Sequence, residues 1–370
     1  MMFTLIHTPL RALTLLALVF SLAACDSFTD APYSPEKAAD KLNDVVKRID
    51  WNTNLVKRRA NISLTKTNLM DSLPPIDNYP IKAGPTGNQP NSATIEIFSS
   101  SEKSGDGPDG WLTEVVTAFN RANIKLDDGR TAQVALRKIA SGTAYQFIAS
   151  GRYKPQAFTP SNALWGEMVK AHGVKLTIER ERLVGNTAGI VMKQEVAERL
   201  KAEYPSLSVE NLIDAVVQGK LIMGYTNPYA SSTGLNFLVT VLNAFSGSAD
   251  EGMLEPAVVS ALQRFQQGVP FVAMTTLQMR ESVSGNGTLD AFVMEYQTFA
   301  KTTPPMANEY VFIPFGYRHD NPLYSVGDLE PTQRQVLDRF LSFIDKPEYT
   351  ALADRFGFNA DKNYRSAYPL

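Results

Sequence analysis

Short strand-like segments alternate with helical segments along residues 93–360, and this alternation restricts the fold more than any other feature of the sequence. Residues 93–98 alternate side chains as a half-buried strand does, whereas residues 111–119 have the apolar spacing of a helix. The alternation ends in two predicted helices, 331–344 and 348–356. Strands alternating with helices of about ten residues predict parallel β-sheets with helices on their faces. The predicted fold class is therefore α/β.

The composition predicts a packed body that binds neither nucleic acid nor metal. The chain has 370 residues, enough for two domain-sized cores, and its 44% hydrophobic and 20% charged residues favour a packed body over disorder. Its net charge of -2 gives no electrostatic reason to expect a nucleic-acid partner. Three His and a single Cys cannot build an internal disulfide or a Cys/His metal site. We therefore expect no metal and no cofactor.

The first 24 residues have the features of an export signal. Arg11 precedes an apolar run from Ala12 to Leu22, and the small residues Ala23 and Ala24 follow it. The run is shorter than the roughly 20 apolar residues that a membrane-spanning helix needs. We expect residues 1–24 to be a signal peptide that is removed on export.

The single cysteine of the chain follows this signal directly. Residues 22–25, Leu-Ala-Ala-Cys, resemble the processing site of bacterial lipoproteins, in which the cysteine carries acyl chains such as palmitate. Asp26 resembles the signal that retains Gram-negative lipoproteins at the inner membrane. The resemblance implies a protein anchored through Cys25 on the periplasmic face of the inner membrane. An ordinary signal peptide followed by a chance cysteine is the alternative.

Residues 25–92 are predicted to form an arm and a linker in front of the body. Ser34 is a predicted N-cap, and Pro35 stands in the first turn of a helix that continues towards Ile49. Five prolines between residues 71 and 92 predict an extended linker. We favour a packing arm or spacer over a binding role for this segment.

Small hydroxyl and amide side chains stand where several predicted strands pass into helices. In open α/β sheets, ligands bind beyond the carboxyl ends of the strands, where helix N-termini present unpaired N–H groups. Such side chains suit an oxyanion or a polar small molecule, although each cluster alone is also explained by helix capping. The candidate ligand-binding residues are Ser99, Ser100, Ser141, Thr143, Ser161, Asn162, Asn227, Ser231, Ser232 and Thr233.

Three stretches of the body resemble a known family. They are residues 154–165 (KPQAFTPSNALW), residues 224–235 (GYTNPYASSTGL) and the closing segment 340–358. The first two resemble the patterns KPDAWxPxSxxW and GHTNPxxSxSGL of type II periplasmic solute-binding proteins, with Gln156 in place of Asp and Tyr225 in place of His. Within that class they resemble the solute-binding domain found alone or beside von Willebrand factor A domains.

The resemblance implies a two-lobed type II periplasmic-binding-protein fold, preceded by an N-terminal helical arm. A ligand would bind between the lobes, and a hinge motion would close them. Lobe one would take residues 93–185 with 300–370, and lobe two would take residues 186–299. By position, the resemblance points to Ser99, Ser100, Ser141, Ser161, Asn227 and Ser232 as ligand contacts, with Asn186, Thr187 and Tyr296 as weaker candidates.

These observations favour a lipid-anchored extracytoplasmic protein that captures a small polar solute or an oxyanion and presents it to an inner-membrane transporter or another membrane protein. We do not expect an enzyme. A serine hydrolase needs a Gly-x-Ser-x-Gly frame with a His partner, and neither Ser246 nor Ser282 stands in one. The alternative is an adaptor or scaffold that uses the same fold to contact a membrane partner or a von Willebrand factor A-type partner.

Overall fold

The computed structural model describes residues 34, 37, 40, 41, 44, 73–87, 89–247, 252–283, 288–302 and 309–360. Cys25 and Asp26 lie outside these residues. In the N-terminal unit, the backbone N–H of Lys37 donates to Ser34 Oγ at 3.3 Å, as predicted for an N-cap, and Lys37, Asp40, Lys41 and Asp44 are helical. The residues described from 73 onward belong to a second compact unit. Among the residues described, no helix is both long and apolar enough to cross a membrane.

Two β-sheets form the centre of the second unit, one in each lobe. The first sheet contains β1 (Ile81–Ala83), β2 (Ser92–Ser99), β3 (Thr131–Lys138), β4 (Ala157–Thr159), β5 (Leu176–Arg180) and β11 (Leu323–Val326), in the order β1-β3-β2-β4-β11-β5. The second sheet contains β6 (Ala188–Lys193), β7 (Met223–Thr226), β8 (Phe271–Ala273), β9 (Ala291–Glu295) and β10 (Tyr310–Pro314), in the order β10-β6-β9-β7-β8.

Helices separate most of these strands. Those of lobe one are α1 (Trp111–Arg121), α2 (Ser141–Ala149), α3 (Leu164–Ala171), α10 (Pro331–Ile344) and α11 (Pro347–Arg355). Those of lobe two are α4 (Gln194–Glu203), α5 (Val209–Val217), α6 (Ser232–Ser246), α7 (Pro256–Gly268), α8 (Thr276–Val283) and α9 (Tyr296–Thr302). The α/β class and the two-lobed fold predicted from the sequence are confirmed.

The sheets are mixed, although the alternation of strands and helices predicts parallel sheets. Strand β2 is parallel to β3 and β4, and β7 is parallel to β8 and β9. The edge strand β1 is antiparallel to β3, and strands β5, β6, β10 and β11 also make antiparallel pairs. These four strands lead into or out of the segments that cross between the sheets. Because no helix returns the chain to the same sheet there, the rule that favours parallel neighbours does not apply.

Two segments depart from the predicted division of the chain. Part of the predicted linker forms β1, which lies between Pro80 and Pro85 and pairs with β3 at the edge of the first sheet. Proline is tolerated at the ends of an edge strand because an edge strand has a neighbour on one side only, so a missing N–H group costs few hydrogen bonds of the sheet. Strand β10 pairs with β6, so the second sheet extends to Pro314 and does not end before residue 300.

The closing helices complete the core of lobe one. The ring of Phe119 on α1 meets the rings of Phe340 and Phe343 on α10 edge to face, with centroid distances of 5.3 and 5.4 Å. Such ring pairs contribute about 0.5–1.5 kcal/mol each beyond their burial. The C-terminal helices therefore belong to lobe one, although all of lobe two precedes them in the chain.

Residues 181–187 and 315–322 cross between the sheets side by side. The N–H of Asn186 donates to His319 O at 2.8 Å, and the N–H of His319 donates to Asn186 O at 3.0 Å. Gly185 and Asn359 exchange a second pair of backbone bonds, at 2.7 and 2.8 Å. Short paired segments of this kind can absorb a rotation of one domain against another. They form the hinge of the two-lobed fold.

Candidate functional site

A small cavity lies where the two lobes meet. Each lobe supplies half of the lining, which consists of Ser100, Ser101, Glu102, Ala140, Ser141 and Ser161 from lobe one and Ala230, Ser231, Ser232, Thr275, Thr276 and Glu295 from lobe two. Its volume is about 20 Å³, and one water molecule needs roughly 10–15 Å³ of such space. The cavity is therefore polar and narrow, with two carboxyl groups in its walls.

Five of the ten candidate ligand residues come together on this cavity. They are Ser100, Ser141, Ser161, Ser231 and Ser232. Ser141 begins α2, Ser232 begins α6 and Thr276 begins α8, so three helix N-termini from the two lobes meet there. Helix N-termini favour negative charge because their first N–H groups have no partner within the helix.

The other five candidates do not line the cavity. Ser99 donates to a backbone carbonyl, Thr143 bonds to Tyr79, and Asn162 reaches the carbonyl of Ser232 at 3.4 Å. Thr233 donates to Glu295 and so acts on the cavity only through that carboxyl group. Asn227 accepts the N–H of Tyr229 at 2.8 Å and thereby caps its own turn.

Glu102 forms the charged part of the wall of lobe one. Its Oε1 accepts hydrogen bonds from Ser100 Oγ at 2.5 Å and from Ser161 Oγ at 2.6 Å. The ammonium of Lys103, fully buried, lies 3.7 Å from the same oxygen and donates to Asn321 Oδ1 at 2.8 Å. Burial by itself raises the pKa of Glu102. The charge of Lys103 and the hydroxyl donors together outweigh burial, so this pKa lies below its usual value.

The ammonium of Lys103 is held in the same wall. It donates to Ser100 Oγ at 2.5 Å and to the carbonyl of Thr159 at 3.2 Å. Burial lowers the pKa of Lys103 to about 8, against the opposing charges of Glu102 and Glu295. At neutral pH the side chain therefore remains mostly protonated, and Glu102 keeps a cationic partner.

Glu295, at the end of β9, forms the facing wall in lobe two. Its Oε1 accepts from His319 Nδ1 at 2.8 Å and from Thr233 Oγ1 at 3.0 Å, and its Oε2 accepts from Asn186 Nδ2 at 2.8 Å. Burial raises the pKa of Glu295, and the negative charge of Glu102 raises it further. Within the ranges that the structure describes, no group of three His, Cys, Asp or Glu side chains could hold a metal ion.

The amide of Asn236 fixes the tautomer of His319. Asn236 Oδ1 accepts the N–H of Tyr317 at 2.9 Å, so its amide nitrogen faces Tyr317 O at 2.7 Å and His319 Nε2 at 3.1 Å. Nε2 therefore accepts a hydrogen bond, and the ring proton of a neutral imidazole sits on Nδ1. His319 therefore donates to Glu295 Oε1 through Nδ1.

Direct bonds join the lobes around the cavity. The N–H of Gly142 on α2 donates to Ala230 O at 2.8 Å, and Trp165 Nε1 donates to Ser232 Oγ at 2.9 Å. Arg280 on α8 forms an ion pair with Asp109 of lobe one at 2.7 Å. A Cβ at position 142 would lie 2.1 Å from Tyr229 O, so only glycine permits this approach. The cleft is closed by contacts within the protein.

Sequence reasoning missed both glutamates. Glu102 stands in a loop with Asp106 and Asp109, where an acidic side chain is ordinarily solvated. Glu295 ends the apolar strand AFVME, and a charged residue at the carboxyl end of a buried strand is a usable signal for a site. Applied to this strand, that signal could have identified Glu295.

Comparisons with known proteins agree with this architecture. A model of the family described as bacterial extracellular solute-binding protein matches residues 104–359. Iron-bound HitA from Pseudomonas aeruginosa is 14% identical over 75% of this chain and 89% of that chain, with a TM-score of 0.51. A chitin oligosaccharide binding protein is 10% identical over 73% of this chain and 81% of that chain, also with a TM-score of 0.51.

A periplasmic thiamin binding protein is 12% identical over 74% of this chain and 84% of that chain, with a TM-score of 0.50. At such identities the likeness concerns the fold alone. None of the curated proteins compared with the sequence matches it.

Proposed function

The chain belongs to the bacterial extracellular solute-binding protein family, and we propose that it captures a small polar solute in the cavity between its lobes. One observation carries this proposal. Hydroxyl groups of Ser100, Ser141 and Ser161 in lobe one and of Ser231 and Ser232 in lobe two line the same cavity. A solute that bonds to both walls binds the closed form better than the open form, and so it shifts the population towards closure.

Capture of the solute would take place at the surface of a membrane. Cys25 would carry the lipid, and Asp26 would keep the protein on the periplasmic face of the inner membrane. The family description as extracellular supports a location outside the cytoplasm. The closed, loaded form would then be what an inner-membrane transporter, or another membrane protein, recognises.

A thermal-shift screen tests solute capture. Full-length protein, purified in detergent, would be heated with amino acids, amines, sugars, polyols and oxyanions. A solute present at 100 times its dissociation constant is expected to stabilise the protein by about 2.7 kcal/mol.

Variants then locate the site. We expect Ser141→Ala and Ser232→Ala to weaken binding of the solute about fivefold each, since each removes one hydrogen bond worth about 1 kcal/mol. Ser342→Ala, at an exposed position of α10, serves as the matched control. Unchanged affinity in both cleft variants would place the solute elsewhere.

The lipid anchor has a separate test. Cys25→Ser is expected to abolish incorporation of labelled palmitate and to release the protein from the membrane fraction, because several acyl chains give stable anchoring. A variant that stays in the membrane fraction would contradict the anchor without touching solute capture.

One observation favours the adaptor as a second candidate. The N–H of Gly142 and the indole N–H of Trp165 already bond to the opposite lobe, so the lobes close through contacts of their own. A scaffold that presents one fixed surface to a membrane partner or to a von Willebrand factor A-type domain needs that property. If no compound in the screen stabilises the protein, and the distance between spin labels on the two lobes stays constant throughout, the adaptor is favoured over solute capture.

A further inference from the structure

We infer that the carboxylate of Glu102 occupies the position in the cleft that a bound oxyanion would take, so that the native protein excludes free oxyanions. This inference rests on the proposed function, because it concerns the same cavity. It goes further by stating which chemical class of solute the cavity rejects and which side chain rejects it.

The hydrogen-bond donors of the wall of lobe one are already used. Ser100 and Ser161 were both expected to hold a ligand, and each directs its hydroxyl to Glu102 Oε1, at 2.5 and 2.6 Å. Donors of this kind at the carboxyl ends of parallel strands form an anion site. Here the anion they bind is part of the chain itself.

The cationic partner of this anion site is used as well. Lys103 Nζ lies 3.7 Å from Glu102 Oε1 and shares Ser100 Oγ with it. Both side chains are buried, at 0% exposure for Lys103 and 5% for Glu102. Removal of the carboxyl group would leave the ammonium and two hydroxyls facing an empty anion position.

The remaining space repels a second anion. The cavity of about 20 Å³ is bordered by Glu102 on one side and by Glu295 on the other. An oxyanion placed about 4 Å from an ionised carboxylate would bind up to about a thousandfold more weakly at an effective dielectric constant of about 20, and the ammonium of Lys103 offsets part of that repulsion. The solutes that remain are those that offer N–H or O–H donors to the two carboxyl groups, such as amines and polyols.

Calorimetric titration with sulfate and with molybdate tests the inference on the full-length protein in detergent. Glu102→Ala is expected to bind at least one of the two anions 100-fold more tightly than the native protein. Glu102→Ser, which keeps a small polar side chain, repeats the measurement in case the alanine variant does not fold. Glu114→Ala, at an exposed glutamate on α1, should behave as the native protein.

Two results would overturn the inference. One is a native protein that binds sulfate or molybdate as tightly as the Glu102 variants do. The other is a folded Glu102 variant that binds neither anion. The first result leaves solute capture intact. A third result separates the two proposals. If the native protein binds nothing in the wider screen but Glu102→Ala binds molybdate, the role of Glu102 is supported and solute capture by the native protein is not.

Discussion

Each wall of the cavity buries one glutamate, and the two carboxyl groups differ in the direction of their pKa shift. Glu295 accepts three hydrogen bonds, from His319, Thr233 and Asn186, and its pKa is nevertheless raised. Glu102 accepts two hydroxyl bonds, and its pKa is lowered. Burial and the negative charge of Glu102 together outweigh the hydrogen bonds and the charge that His319 supplies to Glu295, so the pKa of Glu295 rises. Glu102 has the ammonium of Lys103 beside it, and its pKa falls.

The two glutamates stabilise the fold in opposite pH ranges. For Glu102, whose pKa is lowered in the folded state, the stabilisation is present above the ordinary pKa of glutamate and is lost as the pH falls through the folded value. For Glu295, whose pKa is raised, the stabilisation is complete below the ordinary value and is lost as the pH rises through the folded value. As the pH rises above the ordinary pKa of glutamate, the stabilisation from Glu102 is therefore complete, whereas that from Glu295 begins to be lost.

The largest expected effect on stability comes from removing the cation beside Glu102, so that Glu102, like Glu295, has no lysine next to it. Lys103→Met leaves a buried carboxylate without its cation, which is expected to lower the free energy of unfolding by about 3–5 kcal/mol at pH 7. The pKa of Glu102 should then rise above its usual value, and the deficit should shrink at pH 5. Urea unfolding at both pH values measures this, with Lys201→Met on the exposed face of α4 as the control. An equal deficit at both pH values would show that packing, and not charge, is responsible.

The next largest effect on stability comes from forcing apart the two lobes that form the walls of the cavity. Gly142→Ala places a Cβ against Tyr229 O and is expected to cost the closed form about 1–3 kcal/mol. The lobes should open, and the pKa of Glu295 should fall towards its usual value as Glu102 moves away. Small-angle scattering would report the opening as a larger radius of gyration.

Gly87→Ala is the control for that variant, since nothing lies within 4 Å of a Cβ added there. An unchanged radius in Gly142→Ala, with the protein folded, would mean that the contact relaxes within one lobe.

A smaller effect tests Glu295 directly. In Glu295→Gln, one carboxyl oxygen becomes an NH2 group. If the remaining oxygen still accepts from His319 and Thr233, the NH2 group cannot accept from Asn186, so we expect the free energy of unfolding to fall by about 1 kcal/mol at pH 4. The difference from the native protein should narrow as the pH rises, because only the native protein loses stability by ionising Glu295. Urea midpoints between pH 4 and pH 8 measure this, with Glu281→Gln on the exposed part of α8 as the control. A deficit that grows with pH would contradict the raised pKa.

The smallest effect is expected at the rim of the cavity. Gln146 Nε2 donates to Tyr229 O at 3.5 Å in an exposed contact between the lobes. Gln146→Ala should change stability by no more than about 0.5 kcal/mol, since exposed polar contacts contribute little. A loss above about 1 kcal/mol in thermal unfolding would show that rim contacts hold the lobes together as strongly as the buried bond of Gly142.

Much of the fold could be predicted because it depends on local patterns. The alternation at Ala93 to Phe98 predicts the central strand β2, and Ser34 predicts a helix start. The placement of β10 could not be predicted, because it depends on a pairing with β6 more than 100 residues away in the chain. Strand β1 was missed for a related reason, since prolines at both ends indicate a linker until the partner strand β3 is known.

The cavity could be predicted only in part. Three of the serines that line it, Ser141, Ser231 and Ser232, stand at helix starts, which the sequence pattern of helix caps can mark. Asn227 has the same sequence signal, but its side chain bonds within its own turn. The negative charge of Glu102 in the cavity depends on Lys103, whose hydrogen-bond partners include Asn321, a residue 218 positions away. Contacts at that separation leave no periodic pattern in the sequence.

The position of β11 has a consequence for how the protein reaches this structure. Strand β11 lies between β4 and β5 in the first sheet, yet the chain completes all of lobe two before reaching it. Until residue 326 emerges, β4 has only β2 beside it and β5 has no partner strand, so the sheet of lobe one keeps an open edge that other chains can reach. Contacts so distant in sequence form slowly. Folding should therefore begin in lobe two, whose strands are contiguous in the chain. Lobe one should complete its sheet last and be the part most prone to aggregation before it does so.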